Sequence, residues 1–391
     1  MINEERLRVA LFSGNYNYLR EGANQALNQL VGYLERRGHE VRVYSPVTDT
    51  PAFEPRGTLI PVASVTLPVR TEFQLALGIP AAIRRDVERF APDLIHVSTP
   101  DILCTRAETL AQKLEVPVIA SLHTRFTSYF EHYGIAWLRP LADAHLRRFY
   151  RRASCVLAPT PDLVEEMKRL RGDDRVALWS RGVDRDFFNP SRRDRDWRRS
   201  LGWKSDDTVA LFFGRLVVEK GIDIYIETIR ILQNKGRKVR PLVVGAGPAA
   251  DHLSALPDAI LTGHLDGPGL ARAVASADIM IHPSLTEAFG NVVLEGMASG
   301  VAIVASDAPS SRALIDPGKT GLLCAPNSPD DLAEAVARLI DDPDECNCIG
   351  HAARKASEAY SWDAASSAVE AAYRLTLQQF ARRATSVPMT A

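Results

Sequence analysis

The order of segments along the chain predicts an α/β protein made of two parallel-sheet domains. Short apolar runs bounded by turn residues alternate with longer stretches of helical period, the pattern of strands connected by crossover helices. The series breaks once, at residues 187–197, where a proline and dense charge interrupt it, and then begins again. With 391 residues, 46% of them hydrophobic and 24% charged, the chain is long enough for two cores.

In the first half the expected strands are residues 8–13, 40–44, 94–97, 116–122, 155–158 and 176–179. In the second half they are 209–213, 241–244, 260–261, 279–281 and 301–305. The interruption is read as a linker, which places one domain at 1–190 and another at 200–361. Two such halves imply Rossmann-like domains facing one another across a cleft, with ligands at the carboxyl ends of the strands. No internal repeat or low-complexity tract is evident.

Composition narrows the function classes. A formal net charge of −1 argues against a dedicated nucleic-acid binder. The five cysteines, Cys104, Cys155, Cys324, Cys346 and Cys348, form no paired framework, and the odd count suits a reducing compartment. Cys346 and Cys348 lack partners at zinc-ligand spacing and read as a surface feature. The charged start of the chain gives no signal-peptide pattern, and no apolar run approaches the roughly 20 residues that span a bilayer. A cytoplasmic protein, or one peripheral on the inner face of the cytoplasmic membrane, is expected.

Chemistry concentrates in the second half. Glu287 and Glu295 flank Gly290, Asn291 and Val292, which read as a helix start. Such a start leaves outward-pointing N–H groups and partial positive charge, so a diphosphate can dock there. Glu295 then suits a ribose diol and Glu287, in the preceding loop, suits the sugar. Spacing alone fits equally a solvated acidic pair. A second segment carries Gly214, Arg215 and Lys220 at a strand end before a helix. Glycine permits close backbone approach, arginine can grip phosphate with a fork, and lysine adds a point charge. Taken alone, it fits equally a surface turn.

Together these segments resemble the retaining glycosyltransferases of family 4, which have the GT-B fold. The resemblance runs over most of the chain and rests on ordered motifs: Gly214-Arg215-Leu216 with Glu219-Lys220-Gly221, the turn Val244-Gly245-Ala246-Gly247-Pro248, Pro283-Ser284, and the Glu287/Glu295 pair followed by Gly296-Met297-Ala298-Ser299-Gly300. Two positions depart from the family pattern. Ala246 stands where an acidic residue is usual, and Arg181 where Asn is usual.

The resemblance implies transfer of a hexosyl group, with retention, from GDP-mannose or a UDP-sugar to a lipid-linked or glycan acceptor. Arg215, Lys220 and the N–H groups near Asn291 would stabilise the leaving diphosphate, and Glu287 would orient sugar hydroxyls. Front-face displacement is expected, with the acceptor proton passing to the departing phosphate. His123, at the end of a strand, corresponds to a family histidine near the donor sugar; the alternative is a hydrogen-bonded structural histidine. Arg125 would line the same wall. Gly22 and Ala23 match a loop whose glycine approaches the donor phosphates, and Asn15, Tyr16 and Asn17 are assigned to acceptor contact, although a solvated loop fits equally. In GT-B proteins the C-terminal helix, here 362–383, crosses back to the first domain.

Neither a metal nor a cofactor is expected. Asp184-Arg-Asp186 and Asp194-Arg-Asp196 have the D-x-D form that can chelate a cation, but both lie beside the charged interruption, and basic groups already face the phosphates. Five arginines, Arg139, Arg147, Arg148, Arg151 and Arg152, share a segment with Leu138, Leu141, Leu146, Phe149 and Tyr150, next to the aromatics Phe126, Tyr129, Phe130, Tyr133 and Trp137. This predicts an anionic membrane surface as a partner; a core-facing helix with a charged outer face is the alternative. A nucleotide-sugar 2-epimerase of the same fold and a non-catalytic sugar-nucleotide sensor are the competing functions.

Overall fold

A computed structural model describes residues 6–19, 21–66, 73–123, 139–256 and 258–386, with side chains described to residue 383. Arg125 and the aromatic segment 126–137 lie outside the described residues, as does Leu138. The chain divides into two compact units: Met1–Arg181 with Trp362–Ala391, and Gly182–Ser361.

The first unit contains strands β1 (Arg8–Phe12), β2 (Glu40–Ser45), β3 (Thr58–Pro61), β4 (Val65–Thr66), β5 (Gln74–Leu75), β6 (Leu94–Val97), β7 (Val118–Ser121), β8 (Cys155–Ala158) and β9 (Val176–Leu178). Its main sheet runs β3-β2-β1-β6-β7-β8-β9, all parallel, and β4 and β5 form a separate antiparallel pair. Strands β6, β7 and β8 are buried along their whole length, as expected where helices cover both faces of a parallel sheet. The helix Trp362–Ser386 completes this core. Its Ala365, Val369, Ala372 and Tyr373 pack with Val9, Leu11, Leu27, Leu30 and Leu34 of β1 and the helix Gly22–Arg36. Glu370 fixes the contact, 2.8 Å from Arg374 and 3.2 Å from the buried His39.

The second unit contains β10 (Thr208–Phe213), β11 (Val239–Val244), β12 (Ile260–Leu261), β13 (Ile279–His282), β14 (Ala302–Ser306) and β15 (Leu322–Cys324), ordered β12-β11-β10-β13-β14-β15. Core clusters cover both faces of this sheet. In each unit the strand order reverses direction beside the first strand, between β1 and β6 and between β10 and β13. At such a switch point adjacent loops leave the sheet on opposite sides and open a crevice at the carboxyl edge.

Residues 187–197, expected as a linker, are folded into the second unit. Phe188 is 6% exposed within its core, and Arg354 donates to the Phe188 and Arg185 carbonyls. The dense charge is consumed locally. Arg193 and Arg198 pair with Asp278, and Asp194 caps the helix Arg195–Ser200. Among the described residues, no helix is long and apolar enough to cross a membrane.

Candidate active site

The carboxyl edge of the second sheet brings the phosphate-suited residues together. After β10 the chain passes through Gly214, Arg215 and Leu216, and after β11 through Gly245 and Gly247. These loops pack backbone on backbone. Leu216 N–H donates to the Ala246 carbonyl at 2.9 Å, and a Cβ at Gly245 would lie 1.8 Å from the Gly214 carbonyl oxygen. Only glycine fits there, because any side chain would force the loops apart.

The loop after β13 joins the same edge. The Ser284 and Thr286 hydroxyls donate to the Glu219 carbonyl at 3.4 and 3.2 Å, tying this loop to the short helical turn Val218–Lys220. That clasp sets Glu287 against Lys220, whose ammonium forms an ion pair with Oε1. Burial pushes the Glu287 pKa up, but Lys220, with His282 and Arg215, outweighs it and holds the carboxyl below its ordinary value. Glu287 is therefore ionised at neutral pH and accepts hydrogen bonds only. His282, at the end of β13, is 5% exposed with its Nε2 buried and unpartnered, and burial takes its pKa to about 4. It contributes a neutral ring beside the ion pair. Its place in an apolar strand hid it from sequence reading.

Gly290 starts the helix Asn291–Ala298 with a φ of 97°, a left-handed conformation that suits glycine, and no side chain caps the helix. The N–H groups of Asn291 and Val292 open the helix without an intrahelical acceptor, while those of Val293 and Leu294 already donate to the Gly290 carbonyl at 3.0 and 3.2 Å. Glu295 falls on the second turn. Among the described residues no cation offsets its burial, which pushes its pKa up to about 8.

The first unit treats its expected site residues differently. Tyr16, assigned to the acceptor, is fully buried in the core, its hydroxyl 2.8 Å from the Arg56 carbonyl and 3.0 Å from Asn28 Oδ1. This corrects that assignment: the ring's apolar area is buried while its hydroxyl finds partners. Asn17 is 3% exposed and donates to the Phe53 carbonyl, and Asn15 Nδ2 lies 3.5 Å from Glu21. The three side chains brace the loop. Gly22 and Ala23 begin the helix Gly22–Arg36, half-buried, where Glu21 supplies no side-chain cap.

His123 follows β7, half-buried, with both ring nitrogens engaged. Arg181 Nη2 lies 3.1 Å from Nδ1 and Ser121 Oγ lies 2.8 Å from Nε2. The ring packs edge-on against Trp179 at 5.2 Å. Burial, then the charge of Arg181, holds its pKa well below the ordinary imidazole value.

The D-x-D segments serve the backbone. Asp184 accepts from the Asp186 and Phe187 N–H groups, Asp194 caps a helix, and Asp196 pairs with Arg199. Among the described residues, no group of three or more His, Cys, Asp or Glu is placed to hold a metal ion. In the helix Arg139–Arg152, Leu146, Phe149 and Tyr150 are buried. Arg152 is held by Glu108, Thr109 and Gln112, and Arg151 by the Leu170 and Arg171 carbonyls. Arg147, Arg148 and Leu141 are exposed.

Family models described as Glycosyltransferase Family 4 and Glycosyl transferases group 1 match residues 20–187 and 193–356. A GDP-mannose-dependent alpha-mannosyltransferase of Mycolicibacterium smegmatis is 34% identical over 91% of this chain and 94% of its own. The chain belongs to glycosyltransferase family 4. It is a glycosyltransferase that uses a nucleotide sugar. The sulfoquinovosyl transferase of Arabidopsis thaliana, another relative, is 30% identical over 93% of this chain and 72% of its own. The family 4 fold of this chain also matches the sucrose-phosphate synthase of Thermosynechococcus elongatus, with a TM-score of 0.77 at 20% identity, over 96% of this chain and 100% of that one. The two Rossmann-like units are those of a GT-B glycosyltransferase.

Proposed function

We propose that this enzyme transfers a hexosyl group with retention, from GDP-mannose or a UDP-sugar, to a lipid-linked or glycan acceptor, and that it works without a metal. The observation that carries the reading is the Lys220–Glu287 ion pair beside Arg215, in the unit that also presents the uncapped helix start at Gly290. A diphosphate entering there meets two cations and free N–H groups, so negative charge developing on the leaving group is stabilised without a bound cation. As the phosphate draws on Lys220, the ionised Glu287 is freed to accept hydrogen bonds from sugar hydroxyls. Glu295 accepts from the ribose diol.

The catalytic roles therefore fall to Arg215, Lys220 and Glu287, with His123 meeting the sugar. Because Glu287 sits among the phosphate-binding groups, it is poorly placed for attack on the far face of the sugar. Front-face displacement follows, with the acceptor proton passing to the departing phosphate. The relatives named for GDP-mannose-dependent mannosyl transfer and for sulfoquinovosyl transfer support a hexosyl donor. A lipid-bearing acceptor is favoured by the exposed Arg147, Arg148 and Leu141 on one helix, a basic and apolar combination suited to an anionic membrane surface.

The test is a transfer screen with UDP- and GDP-hexoses, with and without anionic vesicles carrying glycolipid, reading the product's anomeric configuration by NMR. One donor should give an α-linked product, and vesicles should raise turnover. An inverted product or a 2-epimerised free sugar would overturn the reading.

A further inference from the structure

A buried polar chain crosses the carboxyl half of the first sheet. It runs Arg181, His123, Ser121, His96, Tyr373, and its members come from β6, β7, the segment after β9 and the last helix. Hydrogen-bond direction at His123 is determined from the Arg181 end. A guanidinium can only donate, so His123 Nδ1, 3.1 Å from Arg181 Nη2, must be an acceptor and the imidazole must be neutral. The His123 proton is then on Nε2 and is donated to Ser121 Oγ at 2.8 Å. The Ser121 hydroxyl then has two acceptors in reach, His96 Nε2 at 3.0 Å and the Val97 carbonyl at 3.5 Å, and His96 Nδ1 meets the Tyr373 hydroxyl.

Arg181 is itself constrained. It is 3% exposed, donates to the Trp179 and Ser180 carbonyls at 2.7 and 3.2 Å, and lies 4.8 Å from the Trp179 ring centroid. Among the described residues no carboxylate pairs with it, and burial draws its pKa down to about 9, so it remains a cation at neutral pH. The groups facing His123 are Arg181 and Trp179 from the β9 side, His96 from β6 and Ser121 from β7, with no carboxylate among the described residues. None of these described groups favours a charged imidazole.

We infer that Arg181 is a positioning residue for the transfer reaction: it locks His123 as a neutral ring with its proton on Nε2, so that His123 can only donate to a ligand. Ser121 occupies that donor until a sugar hydroxyl displaces it. The inference rests on the proposed contact between His123 and the donor sugar. An Arg at this position gives the lock its charge, which a neutral amide would not. Burial already disfavours a charged His123 ring, and protonating it would in addition place two cations side by side.

Histidine-selective ¹⁵N labelling of the full chain reads the ring directly. Wild-type His123 should show the Nε2–H tautomer and no titration between pH 5 and 8. In Arg181→Ala the guanidinium no longer holds Nδ1 as an acceptor, so Nδ1–H should become populated, and the His123 pKa should rise in part while burial still holds it down. Turnover in Arg181→Ala should fall about 10- to 100-fold through lost alignment, with an added loss on the acid side, while KM for donor changes little. Arg181→Lys keeps a charged donor and should retain the Nε2–H signal and part of the turnover. A wild-type ring that is Nδ1–H or charged at pH 7 would overturn the inference even if the alanine variant does not fold. An unaltered His123 signal in Arg181→Ala overturns the positioning role alone. Wild-type turnover in His123→Ala overturns the sugar contact, and with it the role built on that contact.

Discussion

The switch points of the two sheets have the same topology and opposite chemistry. Between β10 and β13 the edge is lined by glycine backbone, Arg215, Lys220 and an uncapped helix start. Between β1 and β6 the corresponding space is filled by the unit's own polar side chains. Thr99 Oγ1 accepts from the Gly14 N–H at 3.3 Å, Ser98 donates to Ser13 at 2.8 Å, and a Cβ on Gly14 would lie 2.1 Å from Asp101 Oδ2. Asp101 also caps the helix Ile102–Lys113, taking the place an anion would occupy. One fold plan thus leaves cations and an uncapped helix start at the edge of one unit, where the proposed diphosphate site lies, and fills the equivalent edge of the other. Topology specifies where a crevice can be; the loop residues decide whether an anion is welcome there.

The comparison breaks first if the cations of the second unit do not matter. Arg215→Ala or Lys220→Ala should lower kcat about 10²- to 10³-fold at saturating donor. In Lys220→Ala the Glu287 carboxyl also loses the charge that holds its pKa down, so its pKa should rise and the acid limb of the rate profile should move to higher pH. Wild-type kcat in either variant would refute the assignment.

Glu295 sharpens it. Glu295→Gln should weaken binding of the free nucleoside diphosphate roughly tenfold and raise donor KM, about the loss of a charge-assisted hydrogen bond. Its pKa of about 8 adds a sign. The ionised carboxylate accepts both ribose hydroxyls, so binding near pH 7 should release a proton and strengthen as pH rises toward 8. Titration calorimetry in buffers of different ionisation enthalpy reads that release, and Glu295→Gln should remove it. The same raised pKa stabilises the ligand-free fold only at low pH, an advantage lost progressively from the ordinary carboxyl range up to about pH 8.

Tyr16→Phe probes the closed unit. It should cost about 1 kcal/mol of stability in thermal or urea unfolding and leave acceptor KM unchanged. A large rise in acceptor KM with unchanged stability would restore the acceptor role. The smallest expected effect is that of EDTA: turnover should persist, and loss restored by Mg²⁺ or Mn²⁺ would place a cation where the account places Arg215 and Lys220.

Much of this contrast was legible in the sequence, for physical reasons. Gly214, Gly245 and Gly290 are fixed by backbone approach and left-handed φ, constraints local enough to mark the motif. The apolar strands read clearly, whereas the edge strands β3 and β15 did not; β3 has no fully buried residue and ends in a proline. The charged stretch 187–197 reads as solvated until its long-range partner Asp278 is known. Tyr16 resembles a polar loop residue because its neighbours are polar, and nothing nearby in sequence announces the carbonyl of Arg56 that it seeks. Arg181 and His123 stand 58 residues apart, so the departure from the family pattern was visible but its meaning was not.

A crystal structure with the bound nucleoside diphosphate tests the central claim most directly. The β-phosphate should lie within hydrogen-bonding distance of Arg215 and Lys220 and of the N–H groups that open the helix Asn291–Ala298, with the ribose hydroxyls on Glu295. A diphosphate seated instead at the Gly14–Thr99 edge of the first unit, or held at Gly22 and Ala23 without contact to either cation, would contradict it.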